Sequence, residues 1–172
     1  MLLTIMSFEQ LDLRKLMDLY AEGNLENTAY FFPEIADKAE AVRKVEEGFC
    51  TFLRDEFFKT DGNTYWVLEE DGVWISACRL SRIEPGLYYL EALETHPDYR
   101  RKGYAVRLLA ELTNALKQDG PFRLCDCVSK KNEASIRTHV KAGFFVGSDP
   151  GFDFLAKEAD ERDFGFCYQY KG

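Results

Sequence analysis

The middle of the chain most constrains the fold, because it joins a β-hairpin to an amphipathic helix. Two apolar runs of strand length, residues 64–69 and 73–78, flank Asp71-Gly72, a dipeptide typical of two-residue hairpin turns. A third β pattern follows at residues 87–95. From about Tyr104, apolar residues recur at spacings of three and four and predict a helix. Such a chain requires a sheet covered by at least one layer of helix.

The segments before this centre add one strand and two helices. Residues 2–6 predict a short strand, and Ser7 is in position to cap a helix that Gly23 ends. Asp37 is placed similarly before a longer helical pattern.

The segments after it complete a mixed sheet. We predict a strand at 122–128, a short helix capped by Asn132, and closing strands at 144–146 and 164–170 around an acidic loop. No linker, repeat or low-complexity tract interrupts the pattern. The sequence therefore predicts one domain over residues 1–172, of the α/β (α+β) class.

Three consecutive aromatic residues, Tyr30, Phe31 and Phe32, lie in the segment 24–35, which we predict to be a loop. Aromatic side chains in such a loop could line a ligand pocket or could fill the core beneath it. The sequence alone favours neither alternative.

Composition excludes several classes of protein. With 46% hydrophobic residues the chain can form a core, and a net charge of -8 argues against binding to nucleic acid. No apolar stretch approaches the roughly 18–20 residues of a membrane span. The apolar N-terminus lacks a basic flank and a cleavage site, so we interpret it as a strand rather than a signal peptide. We expect a cytoplasmic protein without a membrane or nucleic-acid partner.

The five cysteines are odd in number and scattered, unlike a secreted disulfide framework. Cys125 and Cys127 would share one face of a strand, where they could bind a metal or form a redox pair. Two small buried side chains are the simpler interpretation. Since the chain has only two histidines and no second cysteine pair, we predict no metal site.

Residues 90–105 carry the pattern most indicative of chemistry. A strand is followed by Pro97, the cations Arg100-Arg101-Lys102, Gly103 and the start of the central helix. A helix start offers free backbone N–H groups and a positive dipole end, and Gly103 lets a ligand approach the backbone closely. The segment predicts a phosphate or pyrophosphate cradle, although an ordinary basic helix start has the same residues. Neither the P-loop nor the dinucleotide fingerprint spacing is present.

A second segment strengthens the functional interpretation of residues 90–105. Together the two resemble the GNAT superfamily of acetyl-CoA-dependent N-acyltransferases. The family pattern of Arg or Gln, two residues, Gly, one residue, then Gly or Ala is met by Arg100, Gly103 and Ala105. The helix opened by Asn132 is similar to the family's second motif and ends in the Lys-x-Gly-Phe turn at residues 141–144.

The resemblance implies a fold and an activity. The expected fold is a mixed, mostly antiparallel sheet of about six or seven strands flanked by about four helices. The expected activity is transfer of an acetyl or similar acyl group from acetyl-CoA to a primary amine of a small molecule or peptide. The alternative is a CoA-binding sensor or protein-interaction module that has lost turnover. A homodimer is a possible assembly.

The resemblance also implies the cofactor-binding residues. The strand at 90–95 would separate from the strand at 122–128, and its backbone would pair with the pantetheine amides. The N–H groups of residues 101–105 would hold the pyrophosphate, and Asn132 would lie near the pantetheine arm unless it serves only as a helix cap. The expected cofactor-binding residues are Leu93, Glu94, Thr95, Arg100, Arg101, Lys102, Gly103, Tyr104, Ala105 and Asn132.

The catalytic residues that the resemblance implies depart from the family pattern. His139 occupies the position of the family's tyrosine, which protonates the departing thiolate; it could donate that proton or be a surface histidine without a role. Tyr89 stands where some members have a glutamate base. By two-residue alternation Glu91 shares the face of Tyr89 and Glu94 lies on the other face. Either glutamate could be the base, and we prefer Glu91.

The charges are segregated along the chain. Residues 100–143 contain 10 Lys and Arg against 4 Asp and Glu, within a chain whose net charge is -8. The basic third therefore coincides with the segments expected to bind the phosphates of CoA.

Overall fold

The computed structural model describes residues 1–172 and is built on one seven-stranded sheet. Its strands are β1 (Leu2–Ile5), β2 (Thr64–Glu70), β3 (Val73–Glu84), β4 (Leu87–Thr95), β5 (Phe122–Ser129), β6 (Phe145–Ser148) and β9 (Asp163–Tyr170). The spatial order is β1-β2-β3-β4-β5-β9-β6, and only the β4–β5 pair is parallel. The predicted acidic loop instead contains a two-stranded hairpin, β7 (Gly151–Asp153) and β8 (Glu158–Asp160). The mixed, mostly antiparallel sheet confirms the expected fold class.

Five α-helices cover the sheet, one more than expected. They are α1 (Leu13–Leu19), α2 (Ala21–Phe31), α3 (Lys38–Asp55), α4 (Tyr104–Leu116) and α5 (Glu133–Lys141). The predicted caps of α3 and α5 are confirmed: the Asp37 side chain accepts hydrogen bonds from two backbone N–H groups, and that of Asn132 accepts one from Ser135 N. No helix has the length and apolar character that crossing a bilayer requires.

Two predictions for the first helices are wrong. Asp12, not Ser7, caps α1, and Ser7 precedes a single 3₁₀ turn. Gly23 does not end a helix; it lies inside α2, which continues to Phe31 through most of the predicted loop. Tertiary packing of α2 on α3 overrides the weak local helix propensity of this segment.

The two faces of the sheet bury separate cores. On one face, leucines of α4 pack with Leu68, Leu80 and Phe166. On the other, residues of α1 and α3 pack with Tyr65 and Val67. The alternation along β2 thus supplies both cores.

A smaller cluster lies where β5 and β9 pair. Cys125 and Cys167 are directly opposite, and their sulphurs are 3.1 Å apart beside Tyr89. The contact of Cys125 is therefore with Cys167, a pairing across two strands that the sequence did not indicate. No cluster of three or more His, Cys, Asp or Glu side chains is arranged to hold a metal ion.

Candidate functional site

Strands β4 and β5 run side by side only briefly and then separate. They pair over Leu87–Tyr89 and Arg123–Cys125, whereas β5 stays paired with β9 as far as Ser129. From residue 90 to 95, the edge of β4 that faces β5 has no strand neighbour. Its backbone groups are therefore open to an extended ligand, in the opening that the family resemblance implies.

A β-bulge at Ala92 interrupts the alternation of β4. Ala92 has a left-handed φ of 51°, and the register with β3 steps from Arg79 opposite Glu91 to Ala77 opposite Glu94. Since paired residues share a face, Glu91 and Glu94 lie on the same face of the sheet. The expectation that they lie on opposite faces is wrong, because the bulge adds one residue to the alternation.

The loop between β4 and α4 presents backbone N–H groups. Arg101 has φ 63°, and Gly103, the N-cap of α4, has φ 83°. A Cβ at Gly103 would meet no atom within 4 Å, so the space beside it is open. The first N–H groups of a helix have no intrahelical acceptor and attract anions.

These elements line an open groove of about 710 Å³. Its walls are the end of β4, the following loop, the first turn of α4 and one side of α5 along its full length. Most of the residues expected to bind the cofactor line it, namely Leu93, Glu94, Thr95, Arg100, Arg101, Gly103, Tyr104, Ala105 and Asn132. Lys102 does not line the groove, because its side chain turns back and Nζ donates to the Asp98 carbonyl at 2.9 Å.

Arg100 connects the groove to α2. Its guanidinium donates to Glu22 of α2, to Glu94 Oε1 at 3.2 Å and to the Thr95 carbonyl at 3.1 Å. Glu94 Oε1 also accepts from Thr95 N at 3.0 Å. The Glu94 carboxylate is therefore engaged in fixing the turn after β4, which suits a structural role better than proton transfer.

His139 lies inside the protein rather than on the helix surface or in the groove lining. It is 1% exposed, with Nε2 2.6 Å from Asp126 Oδ2 of β5 and Nδ1 donating to the Ser135 carbonyl at 2.8 Å. Burial is the largest single effect and would lower the pKa of His139, but the hydrogen bond and charge of Asp126 and the hydrogen bond to Ser135 together outweigh it and raise this pKa. Nδ1 is hydrogen-bonded and Nε2 faces the Asp126 carboxylate, and His139 does not line the groove.

A second cavity, of about 490 Å³, lies on the opposite face of the sheet, between α2, α3 and strands β3 and β4. It is named here the α2–α3 cavity. Its aromatic lining consists of Tyr20, Phe31, Phe32, Phe49 and Phe52. Of the three consecutive aromatics, Phe31 and Phe32 therefore face a cavity, whereas Tyr30 is 80% exposed.

The linings of the groove and of the α2–α3 cavity are adjacent at the bulge. Ala92 lines the cavity, and the next residue, Leu93, lines the groove. The Tyr20 hydroxyl donates to the Ala92 carbonyl at 2.6 Å and holds the start of α2 against the strand. Consecutive residues of β4 therefore line the two spaces.

An ion pair lies beside the cavity. Arg79 lines it, and Nη2 is 3.7 Å from Oε2 of Glu91, whose side chain is 26% exposed. Burial raises the pKa of Glu91, and the opposing effect of Arg79 is smaller, so the pKa stays above its usual value. A partly exposed carboxyl of raised pKa is suited to general base catalysis.

Sequence reasoning missed several residues of these sites. Arg137 and Lys141 add positive charge to the groove from α5. Arg79 and Tyr20 line the α2–α3 cavity from distant parts of the chain. The one available signal was Arg79 itself, a cation directly after the apolar run at residues 73–78.

Solved structures share this architecture. PaiA N-acetyltransferase from Thermoplasma acidophilum, in complex with coenzyme A, superposes with a TM-score of 0.64 at 19% identity over 99% of both chains. The ribosomal-protein-S18-alanine N-acetyltransferase from Escherichia coli gives 0.62 at 19% identity over 100% of this chain and 96% of that chain. The Salmonella typhimurium protein yncA, with its cofactor acetyl-CoA, gives 0.53 at 19% identity over 99% of this chain and 94% of that chain. At these identities the likeness shows the fold.

Sequence comparison gives the family. No curated protein matches the chain. Residues 23–144, however, match the Acetyltransferase (GNAT) family, and this range includes most of α2, all of α3–α5 and β2–β5, and most of the lining of both spaces. The chain therefore belongs to the GNAT acetyltransferase family.

Proposed function

We propose that this protein transfers an acetyl group from acetyl-CoA directly to a primary amine of a small molecule or peptide. The observation that carries the proposal is that two consecutive residues of β4, Ala92 and Leu93, line the α2–α3 cavity and the groove. Ligands in the two spaces would have their reacting atoms adjacent, which removes most of the entropic cost of a two-substrate reaction. The relatives with bound coenzyme A and acetyl-CoA support the cosubstrate.

The groove suits a thioester attached to a nucleotide. The N–H groups of residues 101–105 would bind the pyrophosphate, within the positive field of Arg137 and Lys141. The open edge of β4 would pair with the pantetheine amides as an added strand does. Asn132 uses Oδ1 to cap α5 and retains its amide N–H groups for the ligand.

The chemistry requires two proton movements. The amine nitrogen attacks the thioester carbonyl carbon, and the C–S bond breaks to leave an amide and the CoA thiolate. The nitrogen must lose a proton, and the thiolate must gain one. We assign the first role to Glu91, directly or through water, because its raised pKa and its place beside Ala92 suit a base for an ammonium group.

We assign His139 a positioning role. Its pairing with Asp126 ties α5 to β5, the strand that forms one side of the opening. With Nδ1 and Nε2 both engaged, the thiolate would take its proton from water in the open groove.

Gly103 and Gly72 provide a matched test of cosubstrate binding. Their φ angles are 83° and 79°, and a Cβ on either meets no atom within 4 Å. Alanine at either position costs a similar backbone strain, about 1–2 kcal/mol, but only Gly103 lies in the groove. Gly103→Ala should weaken acetyl-CoA binding at least tenfold by calorimetry, whereas Gly72→Ala binds like the wild type. Equal affinities in the two variants would refute the pyrophosphate site.

Turnover separates an enzyme from a CoA-binding sensor. Thiol release from acetyl-CoA should depend on the acceptor across a panel of amines, amino acids and peptides, with an acetylated product by mass spectrometry. Tight acetyl-CoA binding without such release would support the sensor. Because a ligand of the native state raises the melting temperature, no shift at millimolar acetyl-CoA would exclude both functions.

A further inference from the structure

Building on the proposed function, we infer that the acceptor is an apolar or aromatic α-amino acid whose carboxylate is bound by Arg79. The proposal names the acceptor class for the same site. It rests on the charge of the α2–α3 cavity, the unused donors of Arg79 and the distance from Arg79 to the bulge.

The α2–α3 cavity is positively charged although the protein is acidic. Lys44 and Arg79 are the charged residues that line it, and no Asp or Glu does, in a chain of net charge -8. A polyamine or a basic peptide would bring further positive charge against these two cations. The lining favours a ligand with an anionic group.

Arg79 has unused hydrogen-bond donors. Its side chain is 15% exposed, its Nε is buried without a partner, and its contact with Glu91 at 3.7 Å is too long for a direct hydrogen bond. The guanidinium instead lies against Phe52 at 4.9 Å and Phe49 at 6.0 Å. A guanidinium in this environment gains most from a bidentate carboxylate, whose geometry matches its N–H groups.

The position of Arg79 limits the distance between the carboxylate and the amine. Arg79 and Glu91 are direct partners across β3 and β4, and Ala92 follows in the cavity lining. A carboxylate on Arg79 therefore places an amine near Glu91 and Ala92 only if few bonds separate the two groups. An α-amino acid meets this condition. At a peptide N-terminus the carboxylate is replaced by an amide.

The remainder of the cavity suits an apolar side chain. Phe31, Phe49 and Phe52 line it, and Gly48 leaves space in the wall that α3 provides, since a Cβ there meets no atom within 4 Å. A volume of about 490 Å³ accommodates a ligand of amino-acid size.

A panel of acceptors tests the proposal on the wild-type protein. We compare kcat/KM for L-phenylalanine and L-leucine with that for phenethylamine, L-phenylalaninamide and spermidine, following CoA release. The two amino acids should exceed every acceptor without a carboxylate at least tenfold. Equal or faster turnover of phenethylamine, the amide or spermidine would overturn the acceptor class while leaving acyl transfer intact. If acetyl-CoA binds but no amine causes release, acyl transfer itself fails, and the acceptor class with it.

Variants of two arginines on β3 test the assigned residue. Arg79→Met should lower the ratio of kcat/KM for phenylalanine to that for phenethylamine at least tenfold, and Arg79→Lys should restore part of it. Arg82 is 48% exposed, pairs with Asp61 and lies outside the cavity lining, so Arg82→Met should keep the wild-type ratio. An unchanged ratio in a folded Arg79→Met, verified by its acetyl-CoA affinity, would contradict the role of Arg79.

Discussion

Arg79 and Glu91 show how one pair of side chains can serve two purposes. At 3.7 Å the guanidinium lies close enough to limit the rise in the pKa of Glu91, but burial remains the larger effect. The guanidinium keeps free donors, and the carboxyl keeps a raised pKa. In the proposed reaction, one side chain binds the acceptor and the other accepts its proton.

Glu91→Gln tests the base without changing the size of the side chain. Since the pKa of Glu91 is raised, its basic form accumulates only above this pKa, and kcat/KM falls as the pH drops through it. Glu91→Gln should lower kcat/KM at least tenfold at pH 8 and remove this acidic limb from the pH–rate profile.

Glu94→Gln is the matched control, because Glu94 lies on the same face of β4 with Oε1 held by Thr95 N and Arg100. It should retain the acidic limb. A Glu91→Gln profile that superimposes on the wild-type profile would exclude Glu91 as the base.

The environment of His139 was not predictable from the sequence. The predicted helix around His139 is confirmed, but nothing in the sequence indicates that this helix packs its histidine against Asp126 of β5. Likewise, alternation places Glu91 correctly and fails at Glu94, because a bulge leaves no mark in the residue types of β4. The burial of His139 and the face on which Glu94 lies both depend on contacts between segments that are distant in the sequence.

Helix α5 forms one wall of the groove and is fixed at both ends. Asn132 caps its start, and His139 near its end pairs with β5. The cap was predictable from the sequence, because an Asn side chain caps a helix through a hydrogen bond to a backbone N–H group only a few residues away. Helix α2 was not, because its stability depends on distant partners such as Tyr20 with Ala92 and Glu22 with Arg100.

Substitutions of Asn132 separate its capping role from its ligand contact. Asn132→Ala should cost about 1 kcal/mol of stability, whereas Asn132→Asp retains the capping oxygen and most of the stability. Both variants lose the amide N–H groups, so both should weaken acetyl-CoA binding severalfold. Denaturant unfolding and calorimetry measure the two effects. Wild-type affinity in Asn132→Asp would show that Asn132 serves only as a cap.

The two concave sites differ in how the chain assembles them. The groove uses mainly one stretch, residues 93–141, so its motifs and its basic charge could be read from the sequence. The α2–α3 cavity combines residues 20–52 with Arg79 and Ala92, and no local pattern connects them. The net charge of -8 likewise gives no indication of its cationic lining.

A substitution at one glycine can block the acceptor site while the cosubstrate site stays intact, and a second glycine provides the control. Gly48 lies in α3 and Gly23 in α2, and a Cβ on either meets no atom within 4 Å, but only Gly48 lines the α2–α3 cavity. Leucine in place of either glycine raises helix propensity by up to about 1 kcal/mol. Only the Gly48→Leu side chain would enter the cavity.

The most direct test of the arrangement of the two sites across β4 is the acceptor-dependent CoA release by Gly48→Leu. Gly23→Leu is measured beside it as the control, and the acetyl-CoA affinity is measured for both variants. Gly48→Leu should bind acetyl-CoA with the wild-type Kd and lose at least tenfold in kcat/KM for the acceptor, while Gly23→Leu keeps both values. Wild-type acceptor turnover in Gly48→Leu would contradict the account, because the acceptor would then reach the thioester without occupying the α2–α3 cavity.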